Sequence, residues 1–204
     1  MNCRLVAIVV VSLSFPAWTQ SKTPLAKPAQ DSQVYRNANF AFRYQIPYGW
    51  VNRTAAMRGE EIREENAADK AEVWLAVFEH PPEATADTIN SAVVIASESA
   101  ASYPGLKNAE DYIGPLTELA IANGFKPEGE PYALEVESRQ MLRADFIRPL
   151  EVKQGSAKLT MRQCTLVLLA KGKIVSFTFI AGSEDELDDL MDGLHFGVAK
   201  PATH

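Results

Sequence analysis

Cysteine is nearly missing from this chain, and so are histidine and any cluster of basic residues. Of the two cysteines, Cys3 stands before the first apolar run and only Cys164 lies beyond it. Cys3 therefore cannot serve as a lipid-bearing cysteine, and a chain that has shed its N-terminus has no second thiol for an internal disulfide. Cys164 sits in MRQCTLVLLA, which reads as a sheet-core strand, so a buried, inert thiol is expected. The three histidines are His80, His195 and His204. His204 is the last residue, and His80 beside Pro81-Pro82 reads as a surface loop histidine. There is no Gly-x-Ser-x-Gly elbow, His-Glu-x-x-His helix, Cys-x-x-Cys pair, P-loop or dinucleotide glycine fingerprint. No catalytic, cofactor-binding or metal-ligating residue is therefore assigned, and no cofactor. Lys and Arg number 20 against 26 Asp and Glu, for a formal charge of −6. With acids gathered at Glu60-Glu61, Glu64-Glu65 and Glu184 to Asp192, phosphate-rich nucleic acid and anionic membrane surfaces are excluded as partners.

What is present begins with an export pattern. Arg4 precedes a largely apolar run from Leu5 to Phe15, and Ala17-Trp18-Thr19 places small residues at both critical positions of a cleavage site. The run is shorter than the roughly 20 residues a spanning helix needs, so it reads as a signal peptide, with a retained interfacial anchor as the alternative. The expected organisation is a signal peptide over 1–19, a Pro-containing linker over 20–33, a domain over 34–198 and a disordered tail over 199–204. The protein is then exported, periplasmic or secreted.

Within the domain, Phe40, Phe42, Tyr44 and Ile46 alternate with Ala41, Arg43 and Gln45, the period of a strand with one buried face. Pro47 ends it, Gly49 permits a tight turn, and a partner strand is expected from about Trp50. Thr54–Lys70 reads as a charged loop with at most a helical turn. Ala71–Phe78 and Ser91–Ala96 are apolar strands. Asn108 to Gly124 reads as a helix that Gly114-Pro115 either kinks or starts. Strands follow over Tyr132–Glu137, Met141–Arg148, Lys158–Ala170 and Ile174–Ala181, with a hairpin at Lys171-Gly172-Lys173. A capping box at Ser183 and Glu186 opens a last helix that places Leu187, Leu190, Met191 and Leu194 on one face. Strand segments apolar at nearly every position, such as Cys164–Leu169 and Val93–Ile95, cannot meet water on either side. The expected class is α+β, with helices on both faces of a mainly antiparallel sheet.

Two stretches carry a resemblance. Phe-x-Phe-x-Tyr-x-Ile-Pro-x-Gly-Trp over 40–50 and SFTFIAGSEDELDDLMDGLHF over 176–196 resemble the PsbP-like family, named for an extrinsic subunit of photosystem II. His195 departs from the Ser that members often carry before the closing Phe. The resemblance implies an α/β/α sandwich and an exported, bacterial-type accessory protein. Some members bind metal ions, but no ligand motif of theirs maps onto this sequence.

Asp185, Asp188, Asp189 and Asp192 recur at three- and four-residue steps with His195 one turn beyond, the best cation candidate, although helix-dipole and solubility effects explain such acids equally. Trp50, Trp74, Phe40, Phe42, Phe177 and Phe179 read as core rather than as a pocket lining. The leading expectation is a non-enzymatic accessory or binding module acting through a protein partner in the envelope. The alternative is a small-ligand or divalent-metal-binding periplasmic protein, with a hydrolase third.

Overall fold

The computed structural model of the chain describes residues 33–63, 71–81, 88–150 and 159–197, with residues 59–63 as backbone only. The expectations for 1–19, 20–32 and 198–204 lie outside the described residues. Among those described, eleven strands form two antiparallel sheets. The smaller has the order β1 (Val34–Asn37), β2 (Phe42–Gln45), β11 (Leu194–Phe196). The larger runs β3 (Val51–Asn52), β4 (Glu72–Phe78), β5 (Ala92–Ser99), β10 (Lys173–Ala181), β9 (Leu159–Ala170), β8 (Arg139–Leu150), β6 (Lys126–Pro127), and β7 (Tyr132–Val136) also pairs with β8. The helices are α1 (Thr54–Arg63), α2 (Ile113–Ala122) and α3 (Glu184–Asp192).

The large sheet carries layers on both faces, as its doubly apolar strand segments require. One face carries the small sheet and α3: Phe42, Tyr44, Leu187, Leu190 and Phe196 bury against Ile95, Phe177 and Phe179. The opposite face carries α2, whose Leu116 and Ala120 join Tyr112 and Phe125 over Leu142, Phe146 and Val167. Every aromatic expected in the core is there, with Trp50 partly buried. Between Val73 and Leu75 the register of β4 against β5 shifts. Trp74 is the extra residue, and the bulge lets both Trp74 and Leu75 face the first core.

The first strand keeps its expected faces: Phe40, Phe42, Tyr44 and Ile46 are buried. It is shorter than its pattern because Ala41 adopts a φ of 52° and the Phe40 N–H donates to Asn37 Oδ1 at 3.1 Å, closing the β1–β2 turn. Its partner is not the segment after Trp50. β3 leaves the small sheet and pairs with β4, while β2 pairs with β1 and β11. Leu194 consequently lies in a strand, not on the last helix. Gly193 makes this turn possible, since an added Cβ would stand 3.0 Å from Tyr44 Cε2 and 3.1 Å from the Gln45 carbonyl.

Helix starts follow local chemistry. Asn108 Oδ1 accepts from the Asp111 N–H, and Asp111 Oδ2 accepts from the N–H groups of Lys107 and Asn108. A single 3₁₀ turn follows, so Gly114-Pro115 fall in the first turn of α2, where proline removes no helical hydrogen bond. Ser183 Oγ accepts from the Glu186 N–H at 3.2 Å, as expected, but the Glu186 carboxylate reaches the Gly182 N–H and the Ser91 hydroxyl instead of closing the box. The segment from Thr54, expected as a loop, opens with α1. Its Thr54 hydroxyl accepts from the Ala76 N–H and Arg58 donates to the carbonyls of Val73 and Trp74, which satisfies the outer edge of β4. Residues 64–70 lie outside the described residues.

Candidate functional site

α2 rests on β8 and β9, and α1 lies along the edge of β4. Between them the sheet face opens as a cleft of about 640 Å³, within the range of about 300–1,000 Å³ usual for ligand sites. The floor is open because its side chains are short: Ala92, Val94 and Ala96 from β5, and Ser176 and Thr178 from β10. Leu116 and Leu119 of α2 form one wall, and Val73 with Met57 forms the other.

Two polar groupings border this apolar floor. At one end the Glu98 carboxylate accepts from the hydroxyls of Tyr103 and Tyr112, the latter at 2.5 Å. Those rings meet edge to face at 5.2 Å. Burial, reinforced by the Glu98 charge, raises the Tyr112 hydroxyl pKa, so this phenol stays a donor. At the other end Gln163 Nε2 donates to Thr165 Oγ1 at 3.2 Å, and Thr165 Oγ1 shares a hydrogen bond with Thr178 Oγ1 at 3.2 Å. Beside Gln163, Arg148 lays its guanidinium 5.1 Å from the Phe125 ring centroid and donates from Nη1 to the Asn123 carbonyl at 3.0 Å.

The acids and histidines weighed as site candidates are not brought together. Asp185, Asp188, Asp189 and Asp192 are exposed on α3, and His195 belongs to β11, where Nδ1 lies 2.9 Å from Glu137 Oε1. The cation candidate weighed along this helix is not assembled: the strand turns the imidazole toward the β7–β8 hairpin. Among the described residues no group of three His, Cys, Asp or Glu is placed to hold a metal. His80 lies 3.6 Å from Glu79 on the surface, and Asn90 bonds its backbone at both N–H and carbonyl. Cys164 is fully buried with its sulfur 3.6 Å from that of Met191, and burial pushes its thiol pKa up to about 12, which makes it inert as expected.

Glu137 was not singled out by sequence. It and Ser138 turn the β7–β8 hairpin at φ of 43° and 71°, a geometry that Asn or Gly adopts more readily. What stabilises Glu137 there is its carboxylate, which meets the His195 imidazole and accepts the Phe196 N–H at 2.7 Å. These two bonds, the imidazole first, hold its carboxyl below the usual carboxylate range. A depressed folded pKa means a stabilisation complete above the unfolded value of about 4.3 and lost as pH falls through the folded one. Glu137→Gln is thus expected to lower the urea midpoint near neutrality, by a margin that shrinks along the acid limb. A margin constant through that limb contradicts the assignment.

The cleft residues Arg148, Gln163 and Glu98 were likewise missed. The available signal was parity. Gln163 and Thr165, like Ser176 and Thr178, recur at every second position, opposite in parity to the apolar runs Cys164-Leu166-Leu168 and Val175-Phe177-Phe179.

No family model and no curated protein matches the sequence. Solved structures do match. Cyanobacterial PsbP from Synechocystis is 15% identical, with 84% of this chain and 96% of that one covered and a TM-score of 0.47. The fold is similar to that of PsbP. The Ran-binding protein Mog1p of Saccharomyces cerevisiae is 11% identical over 82% of this chain and 96% of its own, with a TM-score of 0.42. LpqN, involved in cell envelope biogenesis of Mycobacterium tuberculosis, is 12% identical over 84% and 88%, with a TM-score of 0.36. At these identities the likeness is one of fold alone. The layered α/β/α architecture around a mainly antiparallel sheet, expected from the Phe40–Trp50 and 176–196 stretches, is what the chain adopts, with one outer layer composed jointly of a small sheet and a helix. Among the described residues no helix is long and apolar enough to cross a membrane.

Proposed function

We propose that the protein is an exported, non-enzymatic binding module that works by holding a ligand in the cleft between α1 and α2. The observation that carries this reading is the floor of short side chains, which leaves about 640 Å³ open against the face of an otherwise densely covered sheet. A large, mostly apolar cleft with a few polar groups at its ends is the usual form of a ligand site. The export pattern at Arg4–Thr19 supports a role outside the cytoplasm. A protein partner is the second reading, favoured by Leu119 and Ile121, which stand 58% and 56% exposed on α2, Leu119 at the cleft wall.

A ligand that binds only the folded state must raise the melting temperature in a saturable way. Thermal melts of the mature protein against neutral, anionic and cationic amphiphiles are expected to give such a shift. Val94→Trp, which fills the floor, should abolish it. A shift that survives this filling places binding elsewhere. Reproducible hydrolytic turnover lost on changing His80 or His195 makes the protein an enzyme and overturns the reading.

A further inference from the structure

We infer that the cleft takes an amphiphile with a free carboxylate, an alkanoic acid, whose head sits at Arg148 and whose chain lies across β10, β5 and β4. This rests on the reading of the cleft as a ligand site and adds the chemistry of its occupant.

Arg148 is the reason. Its Nη1 and Nη2 are engaged by the Asn123 carbonyl and, at 3.5 Å, by the Met161 sulfur. Its Nε is buried and has no acceptor. Among the described residues no carboxylate pairs with this guanidinium, whereas Arg143 and Arg162 are both matched by acids. A buried donor left without an acceptor is costly, more so when it is charged. Arg148 as a whole is only half-buried, so a modest shift of its side chain toward the cleft lets an entering anion supply that acceptor, and the guanidinium geometry suits a carboxylate.

The surroundings restrict the rest of the ligand. Gln163, buried beside Arg148 on the cleft side of β9, offers an amide to the same head group. Beyond it the path toward β4 passes Ile180, Ala92 and Phe78, which lie in register across β10, β5 and β4. That path is apolar. From β8 to β4 it spans four strand spacings, roughly 19 Å at about 4.8 Å each, long enough for an extended alkyl chain. The opposite charge pole, Glu98, lies six residues further along β5 than Ala92 and is occupied by two tyrosine hydroxyls, so it neither repels the head group nor competes for it. A cationic amphiphile has no acceptor at the Arg148 end. A sugar or nucleotide has too few polar partners along the floor.

The test is calorimetric titration of the mature full-length protein with decanoate, decanol and decyltrimethylammonium. Decanoate is expected to bind most tightly, and Arg148→Gln should weaken it about tenfold or more while leaving decanol within about twofold, the difference that one charge-assisted hydrogen bond makes. Leu119→Glu, an exposed position on the cleft wall, should weaken decanoate more than decanol and is safe for folding. Circular dichroism of each variant checks the fold. If decanoate and decanol bind equally and Arg148→Gln changes neither, the cleft is a ligand site but the carboxylate assignment is wrong. If no amphiphile binds the folded parent, the ligand reading and this inference fall together. Preference for the ammonium compound reverses the assigned charge.

Discussion

Leu190→Asp is expected to yield a chain that does not fold at neutral pH. Leu190 is 5% exposed on the inner face of α3, within the core shared with Phe177 and Phe179, and its carbonyl accepts from the Tyr44 hydroxyl at 3.1 Å. Removing the leucine side chain alone costs about 2–5 kcal/mol. The introduced carboxylate would replace a side chain of the apolar core cluster and would have to be buried, which costs several kcal/mol more or forces protonation. Together these match the 5–15 kcal/mol or so by which ordinary domains are stable. The sign with pH follows directly. Burial raises the folded pKa of the new aspartate above its unfolded value of about 3.9, so the damage is least below that value and grows as pH rises through the folded one. Asp189→Ala, one position away on the exposed face, should change stability by no more than about 0.5 kcal/mol. Circular dichroism and denaturant melts of both variants decide the matter: a Leu190→Asp protein that melts like its parent means α3 is not docked on the sheet.

Phe42→Ala should be the most damaging truncation in the small sheet, lowering stability by about 3–5 kcal/mol. Its ring is 3% exposed and meets Phe177 edge-on at 5.0 Å, with Tyr35, Phe196 and Trp74 between 5.9 and 6.2 Å away. It thereby joins strands of both sheets, and no single neighbour can close the space it leaves. For a domain of this size the expected fall in Tm is roughly 10 °C. Arg43 provides the contrast on the opposite face. It stands in register between Arg36 of β1 and His195 of β11, where like charges facing one another weaken a sheet. Arg43→Ala should therefore be neutral within about 0.5 kcal/mol, or slightly stabilising. Equal losses for both variants in urea melts mean that the outer face of the small sheet is covered as well.

Particular elements explain how far a reading of residues could go. The alternation from Phe40 to Ile46, the cap at Ser183 and the stop at Asn123-Gly124 are local. Each depends on residues within one turn or one strand, and each appears in the folded chain where the pattern placed it. The runs Cys164–Leu169 and Val93–Ile95 carried more than local information, because a strand apolar on both sides is stable only between two covering layers. That requirement led from composition to layer architecture. β11 shows the opposite case. Three residues are too few to display a period, and its pairing with β2 joins positions some 150 residues apart, as Leu194 with Tyr44. The alternation around β3 gave no hint that the chain changes sheets after Trp50, since either sheet would have accepted a short apolar–polar pair.

The candidate site was hidden for a related reason. Ala92, Val94 and Ala96 are ordinary core residues by type, and only the placement of α2 over β8 and β9, with α1 at the far edge, leaves a cleft above them. Arg148 looks like any strand arginine until the fold surrounds its Nε and supplies no acceptor. Residue type and spacing determined the longer strands, the cap at Ser183, the stop at Asn123-Gly124, the two-sided covering of the sheet and the acidic outer face of α3, because these follow from local hydrogen bonding and from which side of each element can meet water. The tertiary structure alone decided which strands pair across the chain, that His195 meets Glu137 rather than the acids of α3, and where the sheet stays open, because a cleft and an unsatisfied donor are properties of the space between elements.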